Sequence, residues 1–142
     1  MTNLSKIQRP KYYRGDDPPP MQFQDRDTDI LRTIQKYDGV LSRRHLKKIF
    51  WYDKSDKSMQ KRLSKLFHNG YLNWPNAHQR RIKFIPESLI WIGWRGIIHL
   101  ASLENIEVDY PKKINENQMR ILQARLRKHN IRWVREPNWN QL

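Results

Sequence analysis

The side chains best equipped for chemistry in this chain are cations. In DKSMQKRLSKLFHNGYL, residues 56–72, Lys57, Lys61 and Lys65 recur every four residues, with Ser58, Arg62 and Ser64 beside them. Ammonium groups neutralise phosphates, and Lys or Arg can also reach O6 and N7 of guanine. At about 100° per residue, the turn of an α-helix, these lysines fall on one face with His68. Met59, Leu63, Leu66 and Phe67 fall on the opposite face. The preceding segment VLSRRHLKKIFW, residues 40–51, repeats the arrangement: Arg43, Arg44, Lys47 and Lys48 lie outward, and Leu46, Ile49 and Phe50 inward.

The charge is concentrated as well as large. Twenty-eight Lys and Arg against 14 Asp and Glu leave +14 on 142 residues. Residues 41–70 hold Arg43, Arg44, Lys47, Lys48, Lys54, Lys57, Lys61, Arg62 and Lys65 against Asp53 and Asp56, which is half of that excess. Residues 21–40 are close to neutral. Such a patch points to a polyanion, nucleic acid first and an anionic membrane surface second.

Other chemistries lack their residues. There is no GxxxxGK[ST] phosphate loop, and there are no cysteines for a thiolate site or a disulfide. His45, His68, His78, His99 and His129 are scattered, without an HxH or HxxxH pair. Asp25, Asp27 and Asp29 crowd the start of an expected helix, where the dipole favours carboxylates over any metal role. Tyr12 and Tyr13 resemble the paired tyrosines of nicking relaxases, but no histidine cluster accompanies them. No RNP aromatic pair favours RNA. The expectation is therefore no catalytic residue, no metal and no cofactor. No apolar run is long enough to span a membrane, and MTNLSKIQRPKYY lacks the apolar stretch of a signal peptide. A cytoplasmic, nucleoid-associated protein is expected.

The elements that must position the cations follow from periodicity and caps. Residues 1–24, with PPP at 18–20 and Lys6, Arg9, Lys11 and Arg14, read as a flexible basic arm. Ile30, Leu31, Ile34 and Tyr37 recur at helical spacing over 25–39. Ser42 caps a second helix after a tight corner at Val40 and Leu41, and Ser55 or Asp56 caps a third, which Gly70 ends. Alternation over 71–75 and 80–86 predicts a hairpin carrying Arg80, Arg81 and Lys83. LIWIG (89–93) reads as a further strand and 94–105 as a short helix that Gly96 weakens. NENQMRILQARLRKHN (115–130) reads as a helix with an Asn115–Gln118 capping box and a narrow stripe of Met119, Leu122 and Leu126; IRWV (131–134) could start a strand. Trp51, Tyr52, Tyr71, Trp74, Trp91 and Trp94 are read mainly as packing rather than base stacking.

Three helices and a hairpin form the order of a winged helix-turn-helix, mainly α with a small β-hairpin wing, here with an additional C-terminal helix. The expected organisation is an arm (1–24), the winged domain (25–106) and a C-terminal helix and tail (107–142). The last part is a dimerisation element through 115–130 or the start of a further domain; its apolar stripe suits a second copy and the winged domain's own back face equally. Expected DNA contacts are Arg43, Arg44, Lys47, Lys57, Ser58, Lys61, Arg62, Lys65, Arg80, Arg81 and Lys83. The chain also resembles the N-terminal region of the replication-relaxation family of bacterial and mobile-element proteins. The residues concerned are Arg26-Asp27, Ile30-Leu31, Val40-Leu41-Ser42, Arg62-Leu63 with Leu66, and Gly70-Tyr71-Leu72, within 22–105. That resemblance implies a DNA-binding winged helix linked to replication or DNA-topology control, in proteins that tend to continue past the position of Leu142. The expected function is double-stranded DNA binding, sequence-specific or general, in a regulator or a replication-associated protein. The alternatives are the targeting domain of a larger nuclease or relaxase, and a basic module that docks on protein or RNA.

Overall fold

The computed structural model describes residues 14, 17–75, 89–108 and 115–134. Within them the order is α1 (Asp25–Lys36), β1 (Val40–Ser42), α2 (Arg43–Phe50), α3 (Asp56–His68), β2 (Leu72–Asn73), β3 (Leu89–Ile92), α4 (Trp94–Leu103) and α5 (Glu116–Arg127). The molecule is mainly helical, with a small antiparallel sheet of order β1-β3-β2.

Local signals set the helix ends. The Ser42 hydroxyl accepts from the His45 N–H, and Ser55 from Ser58, so α2 and α3 each start on a serine cap. Asn115 and Gln118 close the expected capping box on α5. At the end of α3, Gly70 takes φ +84°, which lets its N–H reach the Phe67 carbonyl and the Tyr71 N–H reach Leu66. The same closure recurs after α1, α4 and α5 with Asp38, Asn105 and Asn130 at positive φ. Gly96, which weakened the expectation of α4, has a packing reason to be there. A Cβ on it would lie 2.6 Å from the Tyr71 carbonyl oxygen and from Ile92 Cγ2, so only glycine lets α4 lie this close to the sheet.

The described sheet holds pairings that the sequence reading did not name. β2 pairs with β3, Leu72 opposite Ile92 and Asn73 opposite Trp91. The segment 80–86, expected as the partner of 71–75, lies outside the described residues. The corner at Val40–Ser42 is itself a strand, and Val40 faces Trp91 across the other edge of β3. Three residues are too few for an alternation to show, so only the long-range partner reveals this strand.

One core joins these elements. Ile30, Leu31 and Ile34 of α1, Leu46 of α2, Leu63 and Leu66 of α3, Ile90 and Ile92 of β3 and Ile97 of α4 are buried together. Trp51, Trp74 and Trp91 are buried too, in line with their reading as packing, whereas Tyr52 is 79% exposed. Residues 17–24, expected to belong to a flexible arm, contribute Met21 and Phe23 to the core edge, and Pro19 accepts a hydrogen bond from Asn69.

The C-terminal segment also packs inward. Leu126 and Ile131 lie in the core, Leu122 packs against it, and Met119 is buried. Of the two readings of this stripe, it thus covers the chain's own interior, and the exposed large apolar residue of α5 is Ile121. Residues 131–134 form no strand. Instead the Arg132 N–H donates to Gln35 Oε1 (2.7 Å) and Gln35 Nε2 donates to the Arg132 carbonyl (2.8 Å). A side-chain amide here satisfies both backbone groups that a neighbouring strand would have taken.

Candidate nucleic-acid interface

α3 is seated by one face and open on the other. Met59, Leu63, Leu66 and Phe67 are buried, whereas Lys57, Ser58, Gln60 and Lys61 are exposed and Ser64 and Lys65 half-buried. Arg44 and Lys48 of α2 and Lys54 of the connecting turn are exposed as well. The α2–α3 pair thus presents six exposed or half-exposed cations in Arg44, Lys48, Lys54, Lys57, Lys61 and Lys65. Gln60 belongs to this surface although charge alone did not select it. Its position three residues after Lys57 and four before Ser64 marks it, and a carboxamide can pair with adenine in a groove.

Two expected contact residues, Arg62 and Lys47, are engaged elsewhere. Arg62 was placed on the flank of the cationic face, but its Nε donates to Asp27 Oδ1 at 2.9 Å and its Nη2 to Asp27 Oδ2 and to the Gln22 carbonyl. Asp27 is fully buried, and its Oδ2 also accepts from the Gln24 N–H. Arg62 therefore pins α3 to the start of α1 and leaves the cationic face. Lys47 is half-buried and ion-paired with Asp56, which ties α2 to the first turn of α3. Arg43 is half-buried, its guanidinium 5.8 Å from the Trp74 ring, and its Nε has no hydrogen-bond partner among the described residues. Arg80, Arg81 and Lys83 lie outside the described residues.

Two placements were missed. His68, expected on the polar face, is 5% exposed and meets Phe67 edge-on at 5.1 Å. Arg14, read as part of the flexible basic arm, donates to the Phe67 carbonyl (2.7 Å) and the Leu72 carbonyl (2.6 Å). Its guanidinium also lies 4.6 Å over the Phe67 ring, so it serves the C-terminal end of α3, where a cation complements the dipole. A lone arginine 53 residues away in sequence carries no local signal of such a role.

His99 bonds Thr28 Oγ1 through Nε2 at 2.9 Å and packs on Phe23. Burial first, and the Arg32 charge second, hold its imidazole below the ordinary range. Among the described residues no three His, Cys, Asp or Glu side chains come together as metal ligands, and no helix is long and apolar enough to cross a membrane. Comparison with protein-family models, curated proteins and solved structures finds no significant match to this chain.

Proposed function

We propose that this chain is a double-stranded DNA-binding module of the winged helix-turn-helix type. The observation that carries the reading is α3, a 13-residue helix whose apolar face is buried and whose opposite face is exposed Lys57, Ser58, Gln60 and Lys61. The element order supports it: a helix, a short strand, two helices and two strands, with sheet order β1-β3-β2. In this reading α3 enters the major groove, Arg44 and Lys48 of α2 grip the backbone, and Arg80, Arg81 and Lys83, between β2 and β3 in sequence, belong to the wing. The resemblance at Arg26-Asp27, Ile30-Leu31 and Gly70-Tyr71-Leu72 suits a regulator or a replication-associated protein of a bacterial chromosome or mobile element.

Fluorescence anisotropy on a labelled duplex tests this. Binding at low salt should fall linearly on a log–log plot against salt, and Lys57→Ala with Lys61→Ala should lower that slope by about 2. A folded double variant with unchanged affinity and slope overturns the assignment of α3. A preference for RNA of the same sequence overturns the choice of DNA.

A further inference from the structure

A cleft of about 430 Å³, within the size range of small-ligand sites, opens at the C-terminal end of α3. Arg14, Asn69, Asn73, Trp94, Arg95 and Trp133 line it, and no described lining residue carries a carboxylate. The Trp94 and Trp133 rings meet at 4.4 Å, tilted by 48°, and both residues are half-buried, so two indoles form one wall. Arg95 is exposed, held by a 3.2 Å bond to the Asn69 carbonyl and lying 5.0 Å over the Tyr71 ring.

The exposed guanidinium of Arg95 beside two indoles, with no acid in the described lining, matches a ligand that is anionic and aromatic at once. A nucleotide has both features: its phosphate suits guanidinium groups and its base stacks on an indole. Bases inside a duplex keep their faces in the stack, so an indole wall serves only unpaired ones. The position fits as well. The four-residue step that runs through Lys57, Lys61 and Lys65 continues to Asn69, about 18 Å along the helix axis from Lys57, and Asn69 lines the cleft. A strand followed along the lysine row is led to this wall.

We propose that the cleft takes unpaired nucleotides running on from a duplex held on α3, so that the protein prefers a duplex with a single-stranded extension to a blunt one. This rests on the double-stranded DNA reading. Anisotropy with a blunt duplex, the same duplex carrying an oligothymidine extension at its 5′ or 3′ end, and the oligothymidine alone tests it. One polarity of extension should tighten binding by about tenfold. Trp133→Ala should remove that gain while blunt-duplex affinity stays, and Trp133→Phe should keep most of it. Arg95→Gln, at an exposed position, should also reduce the gain, and it decides the matter if Trp133→Ala fails to fold by circular dichroism. Equal affinity for blunt and extended duplexes, or a gain untouched by Arg95→Gln and by any folded Trp133→Ala protein, overturns the inference. Failure of every duplex to bind overturns the double-stranded reading instead. The cleft then stands only if oligothymidine alone binds in a way that depends on Trp133 and Arg95, and falls otherwise.

Discussion

Asp27 has no exposed surface, and both of its carboxylate oxygens are engaged. A buried carboxylate is tolerated only when it is paired and fully hydrogen-bonded, and Arg62 supplies that pairing through two of its nitrogens. Removing the arginine alone leaves an uncompensated charge in the interior. Arg62→Ala should therefore cost about 3–5 kcal/mol in a urea melt. Lys61→Ala, one residue earlier and exposed, should stay within about 0.5 kcal/mol of the parent. DNA affinity should show the reverse: Lys61→Ala weakens it, and Arg62→Ala, measured where it is still folded, leaves the salt slope unchanged. Equal and small stability losses in both variants would remove the buried pair from this account. The two neighbours thus differ in role because one points at α1 and the other at solvent, a distinction of about 100° around one helix.

That distinction also marks how far the sequence could be read. The serine caps on α2 and α3, the Asn115–Gln118 box and the glycine end of α3 were legible, because each depends on residues within one turn of the element it closes. The exposed lysines were legible from their four-residue spacing against an apolar face. What was not legible depends on partners far along the chain: β1 pairing with β3, Arg14 reaching the end of α3, and Arg62 reaching Asp27. The stripe of α5 was read two ways because a narrow apolar row covers a core or a second copy equally well. Its burial against Ile131 and the core selects the first. Leu126→Ala should then lower the unfolding free energy by about 2–5 kcal/mol, the usual cost of a cavity at a leucine with no exposure. Ile121→Ala, 67% exposed on the same helix, should change it little. Light scattering supplies the opposing result: a Leu126→Ala protein that keeps its stability but halves in molar mass would restore the pairing role.

Net charge sets a tension that no single contact reveals. With 28 Lys and Arg against 14 Asp and Glu, the folded chain repels itself more than the expanded one does, because folding brings like charges together. The lysine row of α3 concentrates this effect, since its members stand about 6 Å apart along the axis. The Debye length is about 30 Å at 0.01 M salt and about 10 Å at 0.1 M, so raising salt over that interval screens longer-range repulsion across the surface. The free protein should therefore melt at a higher temperature as sodium chloride rises through this range. A saturating duplex should change the sign of that dependence. Its phosphates already neutralise the patch, and added salt weakens the association that stabilises the fold. Lys57→Ala with Lys61→Ala should flatten both trends, because it removes two charges from the site where repulsion and attraction meet. Differential scanning calorimetry of free and bound protein across the salt series reads both slopes at once. If the free protein's melting temperature does not respond to salt, its cations are already compensated within the fold, and attraction to a polyanion loses its main physical support. If free and bound protein instead rise together, the duplex is not held by this charge.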